Sequence, residues 1–190
     1  MKIIKLAYRN ELRSALLKKL PNEIALSLCS DIESEIDKMD VPYSFENLTG
    51  AVGIALGEGA VISKAILDST PQNILFVLFH ELAHFYQYMK YGYDFALSVY
   101  LADENEIDEK CDFLMNIEKT ADKFGLMKAR HYMNKYNLPE SGLTMTGYSN
   151  VSKSYVKQYL KFVKDKIKHI PKDKIDIDQI NNIIYAIIKR

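Results

Sequence analysis

The chain is predicted to fold as an α+β domain, mainly helical, with a small β-sheet held between flanking helices. Three observations predict this. In segments at both ends of the 190-residue chain, apolar residues recur every three to four positions, the period of a helix with one buried face. From Val41 to Leu67 the residues are instead β-branched, aromatic or small, and are punctuated by Pro42 and four glycines, a pattern of short strands and turns. Directly after them, Asn73–Tyr88 is a mostly apolar run, helical in pattern, that contains His80-Glu81-Leu82-Ala83-His84.

Taken in order, Leu12, Ala15, Leu16 and Leu20 mark a short helix over 10–20, stopped at Pro21, which cannot continue the hydrogen-bond ladder. A second helix is predicted from Glu23 to about Met39 on Ile24, Leu28, Ile32, Ile36 and Met39. Cys29 within it reads as a small buried hydrophobe. Next, 51–56 and 60–66 are predicted strands joined at Gly57-Glu58-Gly59. The second of them reads either as a strand whose free edge an extended peptide can join or, equally, as an ordinary strand within the sheet. Asp68-Ser69-Thr70-Pro71 is a helix start: side-chain oxygens cap free amides, and proline occupies the first turn, where its missing N–H has no cost.

The helix that begins there places Leu75, Leu78, Phe79, Leu82 and Tyr86 on a core stripe, with His80 and His84 to one side, and ends at Gly92. A helix is expected over 93–101, and the acidic stretch 103–109 reads as a solvated helix start. It lacks the glycine and ligand periodicity of a calcium loop. A long helix follows, from about Glu106 to Tyr136, with Ile107, Phe113, Leu114, Ile117, Ala121, Phe124, Leu126 and Met127 as its apolar side. The C-terminal part contributes an amphipathic helix over 152–169, with Tyr155, Tyr159, Phe162, Val163 and Ile167 on its stripe, and a further helix over 177–188. The domain is therefore expected to occupy 1–150, and 151–190 to form a basic helical extension packed on it.

Composition narrows the function classes. A 48% hydrophobic content supports a genuine core. Net charge is zero, so the whole molecule exerts no bulk attraction on nucleic acid or an anionic membrane. Its distribution is uneven: residues 151–190 carry ten Lys and Arg against four Asp. Two cysteines, Cys29 and Cys111, lie far apart and give no disulfide framework. The first residues lack the apolar core of a secretory signal, and the longest apolar run, Ile74–Phe79, is far shorter than the ~20 residues that span a bilayer. A cytoplasmic protein is expected, its oligomeric state open.

The chemistry lies in two helices. His80 and His84 are four apart, so their imidazoles share a helix face and can close on one divalent ion. Glu81 is turned about 100° from His80, near an attacking water but poorly placed as a ligand, which suits a general base. Two histidines on an apolar helix also suit packing alone, and a third ligand decides between the two. Glu118 and Asp122 are likewise four apart on the long helix. If that face crosses the first helix, Glu118 can ligate the ion, and Asp122 can accept the remaining ring N–H of a histidine and fix its tautomer.

The pairing of His80-Glu81-Leu82-Ala83-His84 with Glu118-Lys119-Thr120-Ala121-Asp122, 34 residues after His84, resembles the gluzincin metallopeptidases. The run from Glu118 to Phe124 and the preceding strand are similar to the compact ImmA/IrrE-like and phage-encoded metallopeptidases. The resemblance covers about residues 50–127, and Ala83 stands where those proteins usually have glycine. It is distinct from a metzincin, since Gln87 and Lys90 stand where glycine and histidine would be required. His131, the candidate third ligand of an SprT-type protease, lies about 20 Å beyond Glu118 along a continuous helix.

The resemblance implies a small zincin-like domain holding one Zn²⁺ through His80, His84 and Glu118, with Asp122 behind a ligand histidine. It further implies that Glu81 serves as general base in hydrolysing a protein or peptide substrate. Tyr86, Tyr88, Tyr91, Tyr93, Tyr148 and His131 are the candidate donors to the tetrahedral oxyanion. Cys111, seven residues before Glu118, shares its face approximately; an inhibitory approach to the metal is one reading of it, and a buried structural thiol is the preferred one. The competing interpretation is a non-enzymatic regulatory or interaction module with a structural or vestigial zinc site. Glu81 argues against it, because a purely structural site needs no base.

Overall fold

Two N-terminal helices, α1 (Lys2–Leu17) and α2 (Asn22–Met39), are separated by Pro21, as its missing N–H requires. In this computed structural model, which describes residues 2–48, 53–56, 59–91, 101, 105–140, 153–171 and 174–175, α1 begins well before the expected start near Asn10. Nothing in Lys2–Arg9 breaks a helix, so the ladder extends back through it. Leu12, Ala15 and Leu16 are buried against Ala25, Leu28, Cys29, Ile32 and Ile36 of α2. Cys29 is thus the packing residue its neighbours predict.

A three-stranded sheet follows: β1 (Tyr43–Glu46), β2 (Gly53–Leu56) and β3 (Gly59–Ser63), in the order β1-β3-β2. β2 and β3 form the expected hairpin, antiparallel from Gly53↔Ile62 to Leu56↔Gly59, with its turn residues 57 and 58 outside the described residues. β1 pairs with β3 in parallel, Tyr43↔Ala60 to Glu46↔Ser63. Of the two readings of β3, the ordinary sheet strand holds and the free edge does not. It is the central strand, buried along its whole length, and the edges belong to β1 and β2. β3 also ends at Ser63, earlier than expected, where its pairing with β1 runs out at Glu46. The chain instead tightens into a 3₁₀ turn over Lys64–Asp68.

Helix α3 (Pro71–Tyr91) opens on the predicted cap: Thr70 Oγ1 accepts a hydrogen bond from Asn73 N–H at 3.3 Å. It runs beneath the sheet and is covered on nearly every side, with residues 74–83 all buried. Tyr86 departs from the expected stripe and is 45% exposed. The buried face has passed from α3 by that point, and the Tyr86 ring rests edge-on against Phe124 near the surface. Gly92 and the helix expected over 93–101 lie outside the described residues.

Helix α4 (Ile107–Lys135) spans 29 residues, about 43 Å at 1.5 Å per residue. Its buried positions are Ile107, Cys111, Ala121, Asp122, Gly125, Ala129, Tyr132 and Met133. Met127, expected inside, is 55% exposed. Gly125 lets the backbones of α4 and α3 close up at Phe76 and His80, and Met127, two positions further on, is turned away from that contact. Asn137 stops the helix in the left-handed region (φ 51°), and Leu138 N–H reaches back to Met133 O at 2.8 Å. This is a Schellman ending made with asparagine.

Two apolar clusters share α4. The larger joins α1, α2, the sheet, α3 and the C-terminal half of α4 around Phe45, Phe79 and Tyr132. On its rim, Glu35 of α2 accepts from Lys128 and Tyr132, and Asp31 accepts from Lys135 and Tyr136 at 2.5 Å. The smaller cluster packs Ile107 and Cys111 of α4 against Leu160, Val163 and Ile167 of α5 (Lys153–Ile167), with Ile175 beside them. Phe162, expected on that stripe, is 41% exposed, because the α5 face turned to α4 runs through Leu160, Val163 and Ile167. The side chains of Tyr155 and Tyr159 and the helix expected over 177–188 lie outside the described residues. Among the described residues no helix is long and apolar enough to cross a membrane.

Candidate metal centre

The centre forms where α3 and α4 cross, and Gly125 makes the crossing close. A Cβ built there would lie 2.7 Å from Phe76 O and 3.1 Å from His80 N, so only glycine fits without moving a helix. Gly125 is seven residues after Glu118 and three after Asp122, which places all three on one face of α4. The glycine contact therefore brings both carboxylates to the histidine face of α3.

His80 Nε2 and His84 Nε2 are 3.1 Å apart, and each lies 3.4 Å from Glu118 Oε2. His80 and Glu81 are 1% and 2% exposed, and Glu118 Oε2 is shut off from solvent. Behind the triangle, Asp122 Oδ1 stands 3.0 Å from His80 Nδ1, and Gln87 Oε1 stands 2.8 Å from His84 Nδ1. Both Nδ1–H groups thus have acceptors, which leaves both Nε2 atoms as lone-pair donors facing a carboxylate oxygen. Three convergent lone pairs repel one another unless a cation lies between them.

A divalent ion fits this triangle. Four-coordinate zinc takes nitrogen and oxygen ligands at about 2.0–2.2 Å, which sets ligand atoms about 3.3–3.5 Å apart. The observed edges of 3.1, 3.4 and 3.4 Å are close to that. Among the described residues, His80, His84 and Glu118 form the group of metal-ligating side chains with this convergence. The donor set of two imidazoles and one carboxylate suits a divalent transition-metal ion.

Without an ion, protons resolve the same conflict. Burial opposes a charge on His80, but hydrogen bonding to Asp122 and Glu118 and the charge of Glu81 outweigh it and push its pKa up to about 10. His84 is raised for a similar reason, Glu118 overcoming the effect of burial. Burial would also raise Glu118, yet the two histidines hold it down at about 2. Glu81 is driven the other way. Burial raises its pKa against the pull of His80 and His84.

Glu81 occupies a slot roofed by β2. A Cβ at Gly53 would fall 2.5 Å from the Glu81 Cγ, Cδ and Oε1 atoms, so the bare backbone of this edge strand is what leaves room for the carboxylate.

All five residues expected at the site from sequence, His80, Glu81, His84, Glu118 and Asp122, are brought together. His131 is exposed on a distant part of α4 and Tyr86 points outward, so neither lies beside the ligands. The side chains of Tyr88 and Tyr91, and all of Tyr93 and Tyr148, lie outside the described residues. Cys111 is buried in the α4–α5 cluster, as a structural thiol.

Three contributors escape the motif reading. Gln87 is three positions after His84 and so on its face, a signal present in the sequence. Gly125 is in register with Glu118, but only the crossing shows why. Nothing local marks Gly53. Comparison with protein-family models, curated proteins and solved structures gives no match to this chain.

Proposed function

We propose that this chain is a zinc-dependent metallopeptidase of the gluzincin type, folded as a small zincin-like domain and hydrolysing peptide bonds of a protein substrate. The observation that carries the proposal is the convergence of His80 Nε2, His84 Nε2 and Glu118 Oε2 from two helices beside a buried glutamate that is not one of the three. A structural site would have no use for Glu81, which lies buried at a cost in desolvation.

Bound zinc supplies a Lewis acid that acidifies water and polarises a carbonyl. The chain's own residues do the remainder. Burial brings the proton affinity of Glu81 up toward that of a useful general base, so it takes a proton from the attacking water and delivers it to the leaving amine. Asp122 holds the Nδ1–H of His80 and fixes its Nε2 toward the ligand position. β2, the strand above Glu81, has one edge not taken up by β3 and is the place where an extended substrate would pair.

The test compares wild type with Glu81→Gln, first by metal analysis and then on a peptide library. The proposal expects one zinc per chain in both, with cleavage in wild type and a loss of about 100-fold or more in the variant. Zinc in both proteins with the same cleavage, or none, would favour an interaction module built on the same fold.

A further inference from the structure

Gln87 joins the two halves of the centre. Its Oε1 lies 2.8 Å from His84 Nδ1, while its Nε2–H donates to the Ile117 carbonyl at 2.9 Å. Ile117 directly precedes Glu118, so one amide spans from the second histidine on α3 to the peptide next to the carboxylate on α4. The amide's orientation follows from these two contacts. Ile117 O can only accept, so the Gln87 nitrogen must face it, and the oxygen must therefore face His84. An acceptor at Nδ1 in turn places the ring proton there and leaves Nε2 unprotonated. That is the tautomer the triangle requires.

On this basis we propose that Gln87 is a positioning residue for the metal centre, setting the tautomer of His84 through its contact with Nδ1. The inference rests on the metal-binding reading above. His80 is oriented by a carboxylate and His84 by an amide, so the two ligands receive support of different charge. A carboxylate at both positions would add negative charge to a centre that already holds Glu81, Glu118 and Asp122. A neutral amide avoids this while still presenting an acceptor.

The experiment uses the full chain loaded with Zn²⁺. Affinity is read by competition with a chromophoric chelator, and the imidazole nitrogens by long-range ¹H–¹⁵N correlation. In wild type, His84 should show a ligated Nε2 and a protonated Nδ1. Gln87→Leu removes both contacts and should weaken zinc binding about 10- to 100-fold, with the single His84 pattern lost. Gln87→Glu keeps an acceptor for Nδ1 while losing the donor to Ile117, and should recover most of the affinity together with the wild-type His84 pattern.

Gln87→Leu with wild-type affinity and an unchanged His84 spectrum would overturn the assignment and leave the metal reading intact. Equal weakening in both variants would also overturn it, since anchoring to Ile117 would then account for the effect. A wild-type protein that takes up no zinc would remove the metal reading itself, and this inference with it.

Discussion

The α-carbon of Gly125 faces the backbone of His80 so closely that a methyl group placed on it would lie 3.1 Å from His80 N and 3.3 Å from His80 Cβ. This contact sets how near the carboxylates of α4 come to the imidazoles of α3. Gly125→Ala gains a little helix propensity but forces the helices apart, and overpacking of this kind costs about 1–3 kcal/mol. The variant is expected to unfold at lower denaturant concentration and to hold zinc less tightly than wild type. Chemical denaturation and metal competition on the same sample check both effects.

Gly53 acts on the base and not on the ligands. A side chain there overlaps the Glu81 carboxylate, so Gly53→Val is expected to displace Glu81 and remove cleavage while zinc content stays near one per chain. Steady-state hydrolysis together with metal analysis reads the two properties separately. Loss of zinc from this variant would show that β2 supports the ligands as well.

Metal binding should depend on pH, with a sign fixed by the histidines. In the metal-free protein His80 keeps its proton up to about pH 10 and His84 is raised as well, whereas Glu118 is ionised above about pH 2. Zinc must displace the imidazole protons, so its apparent affinity rises with pH across the neutral range and binding releases protons. Calorimetry in buffers of different ionisation enthalpy counts them. No proton release at neutral pH would contradict this account of the centre.

Acid stability should follow from the rim where α2 meets α4. For Asp31, hydrogen bonds from Lys135 and Tyr136 come first and lower its pKa below 3.8. For Glu35, burial acts upward but bonds from Lys128 and Tyr132 prevail and lower it below 4.5. Both groups bind protons more weakly folded than unfolded. Their stabilisation is complete above about pH 4.5 and is lost as pH falls through the lowered values. Melting temperatures followed from pH 6 to 3 should drop, and the Asp31→Asn, Glu35→Gln double variant should drop less steeply.

Much of this architecture is legible in the sequence, for physical reasons. The positions of Pro21, Thr70 and Pro71 fix helix boundaries, because a missing N–H and a capping hydroxyl act locally. His80, His84, Glu118 and Asp122 are legible because ligand pairs four apart must share a helix face. What escapes is whatever depends on distant partners. β1 joins β3 past the intervening strand β2, so no pattern within 59–66 marks that strand as central instead of an edge. Tyr86 and Met127 look like core residues by period, yet the backbones of α3 and α4 close up at Gly125, which has no side chain, and Met127 two positions later faces away. Periodicity favours large apolar residues, while close helix approach favours small ones.

Whether His80, His84 and Glu118 hold one ion between them is answered by anomalous diffraction at the zinc edge from zinc-soaked crystals. A single strong peak is expected about 2.0–2.2 Å from His80 Nε2, His84 Nε2 and Glu118 Oε2, absent in crystals of Glu118→Ala. A peak elsewhere on the molecule, or one that persists between the histidines when Glu118 is removed, would contradict a shared site.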